Sequence, residues 1–150
     1  MPALPALGYL DLEANAIGAA GAESFAGVLA QCRALDTLYL GYNQIGATGA
    51  ESFAGVLSQC ASLRHLGLCD NQIGSAGAES LAGVLAQCPT LAGLDLCFND
   101  IGSSGAQSIA GVLTALCPQY RLPLHCLRAG VSAGVGLKLV LLIGADRTGA

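Results

Sequence analysis

The sequence predicts an α/β solenoid, a short leucine-lined horseshoe with parallel strands on its concave face and helices on its convex face. Three observations carry this. A block of 28 residues recurs four times in register, as in LRHLGLCDNQIGSAGAESLAGVLAQC (63–88) and LAGLDLCFNDIGSSGAQSIAGVLTALC (91–117). Each block opens with leucines two apart, the spacing of one strand face. Each then changes to helical spacing. Self-similarity at a fixed period of this size marks a stack of like units, because one unit cannot bury its apolar face alone.

The strand comes first. Leu7, Leu10 and Leu12 are repeated as Leu35, Leu38, Leu40, as Leu63, Leu66, Leu68 and as Leu91, Leu94, Leu96. Leu66 and Leu68 share one face of an extended chain, so that face is the core, and successive strands stack ~4.8 Å apart. Asn15, Asn43, Asn71 and Asn99 close the strands, and their amides are suited to bond backbone groups left unpaired by the turn. Ile73 then enters the core, and Gly74 suits a crowded or positive-φ position. A helix follows, since Ala78, Leu81, Val84, Leu85 and Cys88 make one stripe. Gly27, Gly55, Gly83 and Gly111 lie inside the helices at ~1 kcal/mol each relative to Ala, which predicts close helix–helix approach at those positions. Ser75 and Ser103 are expected to cap their helices, whereas Ala19 and Ala47 cannot, so the first two helices should start less firmly.

The pattern L-x-x-L-x-L-x-x-N, present four times over about residues 4–117, resembles the leucine-rich repeat. The 28-residue length and the N-x-I-G-x-x-G-A continuation look like the ribonuclease-inhibitor type. That type is similar to repeats of Ran GTPase-activating proteins and of nucleotide-binding leucine-rich-repeat receptors. The resemblance implies protein–protein interaction through the concave face. It also carries GTPase activation as an alternative, although the acidic tail and repeat number of the Ran GTPase-activating family are not met. No phosphate-binding glycine loop of the G-x-x-x-x-G-K-[ST] kind appears, so the receptors' nucleotide-binding module is not part of this sequence.

Residues 1–117 thus divide into four repeats and 118–150 into a degenerate terminal unit and tail. A fifth repeat needs leucines near 119, 122 and 124 and an asparagine at 127; Leu122 and Leu124 are present, but 119 is Gln and 127 is Leu. The run GLKLVLLIG is compatible with a strand or a short apolar helix. The tail reads equally as a makeshift cap or as sequence read past a true exon boundary. At the other end PALPALGYL leads directly into a strand. The expectation there is a piece of a longer array, in the limit a non-functional fragment, or self-association through an uncapped strand edge.

Charge narrows the partner. Residues 1–120 hold nine acids and two bases, a net of −7, whereas 121–150 hold one acid and four bases, a net of +3. Nucleic acid is a poor partner for such repeats, because binding it depends on Lys and Arg neutralising phosphates. The longest nearly apolar stretch, around Leu139–Ile143, is far short of the ~20 residues that span a bilayer, and no secretory leader is evident. Cys32, Cys60 and Cys88 keep the repeat period and read as small buried side chains. That points to a reducing, intracellular (cytoplasmic) setting.

With leucines and asparagines committed to the core, the letters free to meet a partner are Tyr9, Asp11 and Glu13; Thr37, Tyr39 and Tyr42; His65, Cys69 and Asp70; and Gly93, Asp95, Cys97 and Phe98. The set holds four acids, no base and several aromatics, which suits a protein partner carrying a basic patch. No metal, cofactor or catalytic role is expected. His65 and Cys69 are ~13 Å apart along a strand, too far for a catalytic pair. Cys69 and Cys97 occupy equivalent places on neighbouring strands but point alongside one another, which disfavours a disulfide. His125 and Cys126 fall in the degenerate segment, where no geometry can be assigned.

Overall fold

The structure, a computed structural model, describes residues 7–88, 90–91, 93–116 and 140–142. Four strand–turn–helix units follow one another: β1 (Tyr9–Asp11) with α1 (Gly18–Leu29), β2 (Thr37–Tyr39) with α2 (Gly46–Leu57), β3 (His65–Gly67) with α3 (Gly74–Leu85), and β4 (Gly93–Asp95) with α4 (Gly102–Leu116). β1 to β4 run parallel in the register set by the period, so Leu10, Leu38, Leu66 and Leu94 lie side by side. Helices pack ~8–10 Å apart but strands only ~4.8 Å, so the stack bends with the strands inside. This is the α/β solenoid that the repeats predict.

The core lies between the two layers. Leu38, Leu40, Leu66, Leu68, Leu94 and Leu96 enter it from the strands, and Phe53, Leu57, Leu81, Leu85 and Ile109 from the helices. The helical stripe Ala78, Leu81, Val84, Leu85 and Cys88 is buried throughout, as its spacing requires. In the first repeat Ala22, Leu29 and Cys32 of that stripe are buried, but Phe25, the strand leucines Leu10 and Leu12, and Ile17 are only partly buried.

Asparagine ties the repeats together. Asn71 Oδ1 accepts the N–H groups of Asn43 (3.0 Å) and Ile45 (3.3 Å) in the preceding repeat. Its Nδ2 donates to Leu40 O (2.8 Å) across the junction and to Leu68 O and Cys69 O (both 3.1 Å) in its own turn. Asn43 and Asn99 repeat the pattern, and all three are fully buried. The chain reaches this geometry by entering the left-handed region on both sides of each asparagine, at Tyr42 and Gln44, at Asp70 and Gln72, and again at Gly46 and Gly74. Glycine suits the last position, while the non-glycine residues before it bear a cost that the ladder offsets.

The helix starts correct the expectation drawn from serine. The residues before α1, α2 and α3 are Ile17, Ile45 and Ile73, with no side-chain cap, and Ser75 and Ser103 lie within first turns. The capping is supplied from the next repeat instead: Gly46 N–H donates to Asn71 O (2.8 Å) while Ile45 N–H reaches Asn71 Oδ1. The first two helices therefore start as firmly as the third. Position 127, where the period would place a fifth asparagine to serve α4, is Leu.

The helix ends carry a second, weaker ladder. Cys60 Sγ donates to Val56 O in its own helix and to Leu29 O in the preceding one (both 3.8 Å), and Cys88 does the same to Val84 O and Leu57 O (both 3.6 Å). Burial, with Cys88 and Cys32 adding to it, pushes the Cys60 thiol up to about 11. It stays protonated at neutral pH, as a donor must, and is a poor nucleophile.

Glycine also corrects the sequence reading. A Cβ at Gly27, Gly55, Gly83 or Gly111 would meet nothing within 4 Å, so these are not the close-approach sites. That role belongs to the glycine six residues earlier in α2, α3 and α4. A Cβ at Gly49 would lie 2.9 Å from Ala22 Cβ, at Gly77 3.1 Å from Ala50 Cβ, and at Gly105 2.9 Å from Ala78 Cβ.

A fifth strand, β5 (Val140–Leu142), completes the sheet next to β4. It comes from the GLKLVLLIG run and lies antiparallel, with Leu94 opposite Leu141. It is not the fifth repeat's strand, whose expected leucines near 119–124 lie outside the described residues, as do His125 and Cys126.

Candidate functional site

The strand face is built from columns 28 residues apart. One column runs Tyr9, Thr37, His65, Gly93; the next Asp11, Tyr39, Gly67, Asp95. Beyond the strands come Glu13, Gly41, Cys69, Cys97 and then Ala14, Tyr42, Asp70, Phe98, joined across strands by bonds such as Tyr42 N–H to Cys69 O (2.9 Å) and Asp70 N–H to Cys97 O (2.9 Å). Alternation along each strand sends the first three columns away from the leucines, whereas Ala14, Tyr42, Asp70 and Phe98 lie past the strands in the left-handed region, where alternation no longer holds.

Most of the candidate residues reach the surface. Tyr9, Tyr42 and Phe98 are 59%, 52% and 47% exposed. Asp11, Glu13, His65 and Asp70 are exposed, and Tyr39, Cys69 and Asp95 half-buried. Three are not available: Thr37 is 8% and Cys97 3% exposed, and Gly93 is buried. Thr37 is paired between the larger Tyr9 and His65, and its hydroxyl donates to Asp36 Oδ1 at 2.7 Å. Face membership is legible from alternation, but whether a small side chain stays open depends on the size of its neighbours.

Glycines that the sequence reading passed over shape the face. A Cβ at Gly67 would lie 2.5 Å from Tyr39 Cδ1, and one at Gly93 2.8 Å from His65 Nδ1. The rings therefore lie down over the neighbouring strand. At Gly41 a Cβ would meet Cys69 Sγ at 2.7 Å and Glu13 Oε1 at 2.9 Å, so these two groups converge over the glycine. Tyr9 and Tyr39 meet edge to face with ring centres 6.0 Å apart.

Acid gathers around this point. Partial burial first, then Asp95, Glu13 and Asp70, push the Cys69 thiol up, and Cys69 heads the groups that raise the Tyr42 phenol. Cys69 is thus protonated at neutral pH and suited to contact rather than attack. Cys69 is a free thiol. Asp11 and Asp95 each hold the N–H two residues on, at Glu13 (3.0 Å) and Cys97 (2.9 Å), which fixes their carboxylates on the face. The two bases of residues 1–120, Arg33 and Arg64, lie in helix-to-strand loops, Arg64 3.9 Å from Asp36. Neither neutralises the face.

A leucine-rich repeat family model matches residues 7–26, 31–54, 59–82 and 87–110, one match for each unit described above. The chain belongs to the leucine-rich repeat family. Comparison with curated proteins finds no match. Leucine-rich repeats are in general protein-interaction modules rather than enzymes. No helix among the described residues is long and apolar enough to cross a membrane.

Proposed function

We propose that this leucine-rich repeat chain binds a protein partner through its concave strand face, and that the partner presents a basic patch. The observation that carries the reading is the gathering of Glu13, Asp70 and Asp95 around Cys69 and Tyr42, with exposed Tyr9 and Phe98 at the flanks and no Lys or Arg on the face among the described residues. Exposed aromatics held on a rigid sheet lose little entropy on binding, and uncompensated acids steer a cationic surface into contact. The 28-residue period and a helix of three turns or more in every repeat support the ribonuclease-inhibitor type.

Ligands selected against the folded chain from a displayed random-peptide library are expected to be rich in Lys and Arg. They should associate about tenfold faster at low than at high salt. Ligands without basic enrichment, or rates indifferent to salt, would remove the charge argument. Faster GTP turnover by a small GTPase in the presence of the chain would instead favour GTPase activation.

A further inference from the structure

The turn after each strand holds one residue in the left-handed region just before the asparagine. In the second, third and fourth repeats these residues are Tyr42, Asp70 and Phe98, with φ of 58°, 50° and 55°. The turns are joined in the same way, Tyr42 N–H to Cys69 O and Asp70 N–H to Cys97 O, both at 2.9 Å. Equal backbone geometry in equal register points the three Cα–Cβ bonds in one direction. With ~4.8 Å between successive rungs, the two aromatic residues are rooted ~10 Å apart and the carboxylate stands between them.

Positive φ is tolerated by Asp but is unfavourable for a bulky side chain. Tyr42 and Phe98 nevertheless hold rings there, and at 52% and 47% exposed they add little to the core. Ala14 fills the same place in the first repeat at φ 56°, so the turn itself does not require a ring. Backbone strain kept at an exposed site without a packing benefit points to a use outside the fold. The aromatic pairs among the described residues are Tyr9 with Tyr39 and Phe25 with Phe53, which leaves both of these rings unstacked. Cys69 first, then local burial and Asp70, push the Tyr42 phenol up, which sets that ring toward the third repeat. Asp70 also differs from the other acids nearby. Asp11 and Asp95 each accept the N–H two residues on, and Asp36 accepts from Thr37 and faces Arg64. Among the described residues no hydrogen bond or ion pair takes the Asp70 carboxylate.

We infer that Tyr42, Asp70 and Phe98 form a clamp for one arginine side chain of a protein partner. The clamp rests on the strand-face proposal above and adds which basic group the partner presents. A flat group held between two rings needs them roughly 7 Å apart, twice the ~3.5 Å contact distance. Rings rooted ~10 Å apart reach that separation by leaning inward. A guanidinium is planar, stacks on aromatic faces and meets a carboxylate through two parallel N–H donors. An ammonium is compact and strongly hydrated, and has neither the flat face nor the fork. The rings also shield the ion pair from water, which strengthens it.

Hexa-arginine and hexalysine peptides carry the same charge, so comparing them separates the clamp from the general field of the face. Titrated into the full chain in a calorimeter at one salt concentration, hexa-arginine is expected to bind about tenfold more tightly. Tyr42→Ala and Phe98→Ala should each bring that ratio below about threefold and change hexalysine affinity little, since neither alters charge. Phe98→Tyr should keep the preference. So should Val28→Ala, which removes a similarly exposed apolar side chain from α1. Should an alanine variant lower the thermal melt, Tyr42→Leu and Phe98→Leu decide in its place, because they keep apolar bulk and lose the aromatic face. Equal binding of the two peptides by the wild-type chain, or an arginine preference that survives loss of both rings, would overturn the clamp and leave the acidic face standing. Tighter binding of the trimethylated hexalysine peptide than of hexa-arginine would overturn it in favour of an ammonium site. Binding of neither peptide would overturn the strand-face proposal and the clamp with it.

Discussion

Asn71→Ala is expected to destabilise the folded chain by about 3–4 kcal/mol, the largest loss from any single change on the strand turns. Its side chain serves two buried N–H groups, of Asn43 and Ile45, and three carbonyls, of Leu40, Leu68 and Cys69. Each buried group left without a partner costs ~1–3 kcal/mol, reduced where the turn relaxes or admits water. Asn15→Ala should cost only about 1 kcal/mol, because Asn15 is exposed and bonds just Leu12 O and Glu13 O through its side chain. Gln87→Ala, at an exposed site, should be near neutral. Urea denaturation of the three variants checks this ordering, and equal midpoints for Asn71→Ala and Asn15→Ala would contradict the ladder.

Opposite signs are expected from glycines on the same helix. The combined change Gly27→Ala, Gly55→Ala and Gly83→Ala should raise stability by about 2–3 kcal/mol. Each alanine gains ~1 kcal/mol of helix propensity and its Cβ meets nothing within 4 Å. Gly77→Ala should lower stability by about 1–2 kcal/mol. Its Cβ would press on Ala50 Cβ at 3.1 Å and Ala47 Cα at 3.2 Å, and overpacking of that kind outweighs the propensity gain. Thermal melts of the triple variant and of Gly77→Ala that shift in the same direction would refute the packing described for α2 and α3.

These glycines show how far the sequence could be read. The repeat period sets which residues lie side by side, so the leucine columns, the asparagine ladder and the buried stripe Ala78, Leu81, Leu85 follow from spacing alone. The direction of helix–helix approach was also present, though less visibly. At 3.6 residues per turn, Gly83 lies roughly 160° from the centre of the buried stripe and Gly77 within its flank, so a wheel separates a solvent-facing glycine from a packed one. Other features have no local signal. Capping of Ile45 and Gly46 by Asn71 is a contact between repeats, and serine propensity points elsewhere. Thr37 is closed off by the sizes of Tyr9 and His65, and the rings of Tyr39 and His65 lie over Gly67 and Gly93 because of what stands on the next strand. The antiparallel β5 breaks the period altogether, and no extrapolation of the repeat leads to it.

Matched charge reversal most directly tests the claim that the acidic strand face is the binding surface. One variant carries Glu13→Lys and Asp70→Lys on that face; the other carries Glu51→Lys and Glu79→Lys on the exposed side of α2 and α3. Net charge changes equally in both. Affinity for Lys- and Arg-rich ligands selected on the wild-type chain is expected to fall about a hundredfold in the first variant and by less than about threefold in the second. Equal losses in the two would show that overall charge alone draws the ligands, and a greater loss in the helix variant would move the binding surface to the convex side.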